Sequence, residues 1–130
     1  MHNLADLLAK PGRVVLSGAP EGRDALAIAD LRADTDLDVL YIARDDSHLA
    51  AMAEALRVFA PAEAPLIFPA WDCLPYDRVS PRPDICAERL HCLSGLTRDE
   101  TRGRLLLTTV NAVSQKVPPQ ALLARSHFET

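Results

Sequence analysis

The first residues whose types and spacing could do chemistry form a glycine-bearing loop, Gly18-Ala-Pro-Glu-Gly22, followed by Arg23 and Asp24. A phosphate loop of the form Gly-x-x-x-x-Gly-Lys-Ser/Thr wraps phosphates with backbone N–H groups, while its lysine and hydroxyl serve the outer phosphates and magnesium. Here the glycines stand one residue too close, Arg23 takes the lysine position and Asp24 takes the hydroxyl position. A carboxylate at a helix N-terminus competes with phosphate for the same dipole. The pattern favours an ordinary strand–helix turn, with a nucleotide site at Gly18, Gly22 and Arg23 as the alternative.

The second candidate is a proline-rich loop, residues 69–83, which holds four of the ten prolines, the single Trp and one of the two Tyr. Proline suits neither a helix interior nor a central strand, so the segment is predicted to be a structured loop with a function. Two interpretations stay open: a loop packed on its own side chains, or an exposed aromatic surface for DNA or protein. The candidate interaction residues are Trp71, Asp72, Tyr76, Asp77 and Arg78.

The remaining polar residues predict neither a catalytic centre nor a metal site. Asp45-Asp46 is typical of an N-cap with a first-turn acid rather than of paired metal ligands. No serine lies in a Gly-x-Ser-x-Gly elbow. The three cysteines, Cys73, Cys86 and Cys92, form no Cys-x-x-Cys pair and are predicted to be plain thiols.

Composition bounds the class of protein. The chain has 130 residues, which suggests one domain over residues 1–130, and 48% of them are hydrophobic, which excludes a wholly disordered chain. With 14 basic and 18 acidic residues the net charge is −4, which argues against a module that grips nucleic acid by bulk charge. We expect no membrane span and no signal peptide, and the odd cysteine count fits a reducing cytoplasm.

The elements that must position these residues alternate along the chain. Short apolar or β-branched runs predict strands at residues 13–17, 38–43, 66–68 and 105–108. Helical patterns cover residues 2–10, 23–33, 49–56, 84–96, 110–115 and 118–123. This order predicts a three-layer α/β fold, a parallel sheet of about four strands with flanking helices. Ligands of such sheets bind beyond the carboxyl ends of the strands, where both candidate segments begin.

The proline-rich loop belongs to a distinctive series of motifs: Phe68-Pro-Ala-Trp-Asp-Cys-Leu-Pro-Tyr-Asp-Arg-Val-Ser-Pro81, Pro83-Asp-Ile85 and Glu88-Arg-Leu90. Further along stand Thr109-Val-Asn-Ala-Val113 and Gln115-Lys-Val-Pro118. Together these motifs resemble the amino-terminal region of the bacterial transcription-repair coupling factor, Mfd. The resemblance extends over nearly the whole chain and is strongest from residue 66 to residue 118.

The resemblance implies part of a large cytoplasmic DNA translocase. That family uses ATP and magnesium to remove RNA polymerase stalled at lesions, and it recruits the excision-repair protein UvrA. Its amino-terminal module resembles UvrB, combining a degenerate P-loop NTPase-like domain with an inserted domain that contacts UvrA. In UvrB the position of residues 18–25 is a functional phosphate loop, whereas in the coupling factor that loop has decayed. The aromatic hairpin with which UvrB wedges into DNA is expected to be missing, because the loop with Trp71 and Tyr76 is much shorter.

Three functional hypotheses follow. The first is a non-catalytic scaffold portion of a coupling factor, without a cofactor of its own. Its partners would be the remainder of the factor, UvrA, and, through the parent protein, RNA polymerase and DNA, with no membrane. The second is a nucleotide-binding domain with an atypical phosphate loop. The third is a free-standing adaptor that binds UvrA or polymerase by itself.

Overall fold

A computed structural model describes residues 4–20, 22–74, 76–98 and 103–125. Within these ranges the strands are β1 (Val39–Ala43), β2 (Leu66–Phe68) and β3 (Leu105–Thr109). The helices are α1 (Leu4–Leu8), α2 (Arg23–Asp34), α3 (Asp46–Phe59), α4 (Pro83–Thr97), α5 (Val110–Val113) and α6 (Gln120–Arg125). None of the helices in these ranges has both the length and the apolarity that crossing a bilayer requires.

The three strands form one parallel sheet in the order β1-β3-β2. β3 is central, since Leu107 lies opposite Tyr41 of β1 on one side and Ile67 of β2 on the other. Its run of three leucines and two threonines suits this position, because a central parallel strand is covered on both faces. The predicted α/β class with a parallel sheet and flanking helices is therefore confirmed.

Two apolar cores hold the layers together, one on each face of the sheet. On the first face α2 and α3 pack on β1 and β3; α3 presents Leu49, Met52 and Leu56 at helical spacing. On the other face α4 and α5 pack through Cys92 and Ala112 against Phe68 of β2. The central strand β3 contributes to both cores, with Leu105 and Leu107 on the first face and Leu106 on the other, as the period of two along a strand requires.

The strand expected at residues 13–17 is not formed, so the sheet of the described residues has three strands instead of about four. Val15 and Leu16 are 72% and 63% exposed. An apolar run becomes a strand only when a neighbouring strand pairs with its backbone and other elements cover its side chains. Among the described residues neither condition is met, so the segment forms no strand.

The predicted helix starts agree with the structure better than the predicted strand at residues 13–17 does. Asp45 is the N-cap of α3, and its side chain accepts a hydrogen bond of 2.9 Å from the His48 N–H, as expected. That backbone hydrogen bond holds the pKa of Asp45 well below its usual range. α6 begins at Gln120, just after Pro118-Pro119. The sequence also predicts a charged loop at residues 98–104 and the start of a further element at residues 126–130. Residues 99–102 and 126–130 lie outside the described ranges.

Candidate interaction surface

A buried arginine anchors the proline-rich loop, which spans residues 69–82 because α4 begins at Pro83. Arg89, on α4, is only 2% exposed. Its guanidinium carbon lies 4.1 Å from the ring centroid of Phe68 and 4.2 Å from that of Trp71. A cation over an aromatic face is attracted by the ring quadrupole, and more strongly where water is excluded. Burial lowers the pKa of Arg89, but an arginine keeps its charge under all ordinary conditions.

Hydrogen bonds complete this anchor. Arg89 Nη1 donates to the Pro69 carbonyl at 2.7 Å and to Gln115 Oε1 at 3.1 Å. The same Gln115 oxygen accepts a bond of 2.9 Å from the Trp71 N–H. We call Phe68, Trp71, Arg89 and Gln115 the Arg89 cluster. The cluster joins the start of the loop to α4 and to the turn after α5, so the loop has a fixed base.

Helix geometry explains why a charged residue points inward here. Cys92 belongs to the core beneath α4 and Leu96 packs against it, and Arg89 lies at i−3 and i−7 from these two residues. Arg89 therefore falls on the inward stripe of α4. The helical spacing from its apolar neighbours could have identified Arg89 as an inward-facing residue. A pattern of apolar residues alone does not include an arginine.

The outer part of the loop is shaped by its two aspartates. Asp77 Oδ2 accepts a bond of 3.2 Å from the Leu74 N–H, and the Asp77 N–H donates to the Leu74 carbonyl at 3.0 Å. Asp72 Oδ1 accepts a bond of 3.3 Å from the Arg82 N–H. The first pair of bonds closes a turn from Leu74 to Asp77, and the bond to Asp72 joins the start of the loop to its end, so both carboxylates help to set the shape of the loop.

The apolar side chains at the tip of the loop face solvent. Tyr76 is 98% exposed, Leu74 70% and Val79 71%. They border a groove of about 750 Å³ whose other side is formed by residues 114–116. Of the candidate interaction residues, Trp71, Tyr76, Asp77 and Arg78 line this groove, whereas Asp72 is not part of the lining. Sequence reasoning missed Ser114, Gln115 and Lys116, which only the fold brings to the loop.

The amino-terminal glycine loop lies at a different groove. Gly18 and Gly22 have positive φ angles of 69° and 82°, and Gly22 is the N-cap of α2. Asp24 Oδ1 accepts a bond of 2.9 Å from the Ala25 N–H, in the first turn of α2, and Oδ2 accepts one of 3.0 Å from the Tyr41 hydroxyl. Burial, reinforced by Asp24, raises the pKa of Tyr41 to about 12. A carboxylate thus occupies the end of the helix where a phosphate would bind.

Arg23, the third residue of the proposed phosphate loop, is exposed, and it is not part of the groove of about 650 Å³ that Gly22 and Asp24 line. The three cysteines are free thiols as predicted; burial raises the pKa of Cys92 to about 11 and also raises that of Cys73. Among the described residues no three His, Cys, Asp or Glu side chains come together in a way that could hold a metal ion.

Comparisons with known proteins identify relatives. The transcription-repair-coupling factor of Rickettsia bellii is 31% identical over 91 residues, which is 70% of this chain. That of Haemophilus influenzae is 28% identical over 108 residues, or 83% of the chain, and that of Rickettsia prowazekii is 28% identical over 87 residues, or 67%. The chain is related to the transcription-repair-coupling factors.

The likeness covers only a small part of these coupling factors. The matched residues amount to 8–9% of the length of each relative. No protein-family model and no solved structure matches the chain at a significant level. The comparisons therefore support the relation inferred from the motifs. They do not assign the activities of the whole coupling factors to this chain.

Proposed function

We propose that the chain is a non-catalytic scaffold portion of a transcription-repair coupling factor, corresponding to the first part of its UvrB-like, degenerate P-loop NTPase-like module. The parent protein would use ATP and magnesium to displace stalled RNA polymerase and would recruit UvrA for nucleotide excision repair in the cytoplasm. Within it, the proline-rich loop would dock the remainder of the factor. The sequence relation to coupling factors supports placing the chain in such a protein. The exposed apolar side chains of the proline-rich loop support the docking role.

The observation that carries the docking role is a firmly anchored loop with apolar side chains in solvent. Single exposed apolar residues are ordinary, but Leu74, Tyr76 and Val79 stand within six residues of one another. The Arg89 cluster holds the base of this loop, so little ordering entropy opposes association. Exposed apolar side chains on a rigid loop are typical of protein interfaces.

The non-catalytic part of the proposal is supported by the amino-terminal loop. The Asp24 carboxylate accepts from the Ala25 N–H, which a bound phosphate would need as a donor. Arg23 is exposed and stands where a phosphate loop has its lysine. These features favour the scaffold over a nucleotide-binding domain that uses Gly18, Gly22 and Arg23.

Capture of purified proteins tests the proposal. The immobilised chain is offered three proteins in turn: a coupling factor that lacks the region matched here, UvrA, and RNA polymerase, all from the organism that encodes the chain. A scaffold portion retains the truncated coupling factor. Retention of UvrA or polymerase without the factor would replace the scaffold with the free-standing adaptor, and retention of none of the three would contradict both.

A further inference from the structure

We propose that the groove between the proline-rich loop and residues 114–116 binds an acidic peptide segment with a large apolar side chain as its anchor. The inference rests on the proposed docking role of the loop and adds the chemistry of the occupant. It would be a segment of the partner protein, seated on the loop by one apolar side chain and held by carboxylates at the rim.

The positive charge of the groove comes from two cations for which the described residues supply no ion-pair partner. Arg78 and Lys116 both line it, and neither forms a salt bridge with any residue in the described ranges. Both side chains are exposed. They stand on separate segments, one on the loop and one after α5, so a ligand between those segments can reach both.

The acidic residues nearby are already engaged by backbone N–H groups. Asp77 also lines the groove, but its Oδ2 accepts from the Leu74 N–H, and Asp72 accepts from the Arg82 N–H. These bonds hold the carboxylates to the loop itself. The carboxylates keep their negative charge, so Arg78 and Lys116 supply two positive charges against the one negative charge of Asp77 in the lining.

The apolar lining supplies the anchor site. Trp71 forms part of the wall and is fixed by the Arg89 cluster, while Leu74, Tyr76 and Val79 provide exposed apolar surface. A volume of about 750 Å³ has room for a few side chains but not for a folded element. Aromatic and arginine side chains are the residue types that contribute most to protein interfaces.

Nucleic acid fits this groove less well. A phosphate backbone is bound by many cations, whereas this groove offers Arg78 and Lys116 beside the carboxylate of Asp77. The net charge of −4 repels a polyanion with many phosphates more strongly than a short peptide with one or two acidic side chains. A short acidic peptide needs only the two cations and one apolar contact.

Selection from a phage-displayed library of random 12-residue peptides on the 130-residue chain tests the inference. The enriched peptides should combine Asp or Glu with Leu, Phe or Trp. As synthetic peptides they should bind about tenfold more weakly to R78E/K116E, because two attractions become repulsions. The double variant K10E/R13E is the matched control: both residues are exposed, the net charge changes equally, and affinity should stay within twofold of the unaltered chain.

The outcomes separate this inference from the docking role. Enriched peptides that carry no acid, and that depend on Tyr76 but not on Arg78 or Lys116, would overturn the charge inference and leave the loop as an interface. An equal loss of peptide affinity in K10E/R13E would show that net charge alone causes the effect. That result would also overturn the charge inference. If the chain binds a single-stranded 12-mer of thymidylate and no peptide, the inference that a peptide occupies the groove is wrong. Absence of any enriched peptide would contradict the loop as a peptide-docking surface.

Discussion

Within the described residues, the buried charge of Arg89 is balanced without a carboxylate. The aromatic faces of Phe68 and Trp71 and the oxygens of Pro69 and Gln115 surround its guanidinium. A buried charge is expensive unless such partners satisfy it. The consequence is that Trp71, which the sequence suggested as an interface residue, also holds the loop in place.

Replacing Arg89 with Ala should therefore destabilise the fold. The variant loses two cation–π contacts and two charge-assisted hydrogen bonds and leaves a cavity, so we expect the free energy of unfolding to fall by about 3 kcal/mol. Urea denaturation followed by tryptophan fluorescence measures this directly. Arg57→Ala is the control, since its salt bridge to Glu54 is largely exposed and its loss should cost less than about 0.5 kcal/mol. Equal costs for the two variants would contradict the role given to Arg89.

The Asp38 carboxyl should make the stability of the fold depend on pH in the acid range. Bonds from the Arg104 guanidinium, the shortest of them 2.7 Å, and from the Arg104 N–H at 2.8 Å lower the pKa of Asp38 to about 2. A carboxyl whose pKa is lower in the folded state stabilises the fold above its unfolded pKa, near 4, and that contribution disappears as the pH falls towards 2. Asp38→Asn should accordingly lower Tm at pH 7 and converge with the unaltered chain near pH 2. A Tm difference that is constant from pH 7 to pH 2 would contradict this.

Among the elements, those defined by local pattern were predictable from the sequence. The alternation of strands and helices, the Asp45 cap and the apolar stripe of α3 all depend on neighbouring residues, and the structure has them. The segment at 13–17 was not predictable in this way, because strand formation needs a partner distant in sequence. One side of the groove, the proline-rich loop, was predictable from the sequence. The other side was not, because the packing of β3 and α5 brings Lys116 to the loop.

The contact between α4 and β2 gives a prediction at this scale. A Cβ added at Gly95 would lie 3.1 Å from both terminal carbons of Leu66, which is tighter than ordinary packing. Gly95→Leu should therefore displace the Leu66 side chain from its packing position and lower the free energy of unfolding by about 1–3 kcal/mol in urea denaturation. Ala87→Leu, on the exposed side of the same helix, should change it by less than about 0.5 kcal/mol. A Gly95→Leu chain as stable as its control would show that this interface can open without cost.

At the scale of the whole molecule, the proposed scaffold role predicts that the chain does not bind nucleotide. A ligand that binds only the folded state at 100 times its Kd stabilises it by about 2.7 kcal/mol, which a melting curve detects readily. Because Asp24 occupies the first turn of α2, millimolar ATP with magnesium should leave Tm unchanged. A rise in Tm that disappears in Arg23→Ala would establish the atypical phosphate loop instead.

The relation to coupling factors places this chain beside much longer proteins, of which it matches 8–9%. In the proposed scaffold role, the chain would act within the larger molecule through its surface. The proline-rich loop is the part of the described surface where apolar exposure, a rigid base and unpaired cations coincide. Docking through this loop is therefore the central claim.

Surface plasmon resonance tests that claim most directly, with a coupling factor lacking the matched region passed over the immobilised chain. Leu74→Ser/Tyr76→Ser should weaken binding at least tenfold, since it removes two exposed apolar contacts. Leu37→Ser/Val58→Ser, which removes exposed apolar side chains away from the loop, should bind as the unaltered chain does. If the loop variant binds with unaltered affinity, or if both variants lose affinity equally, docking through the proline-rich loop is contradicted.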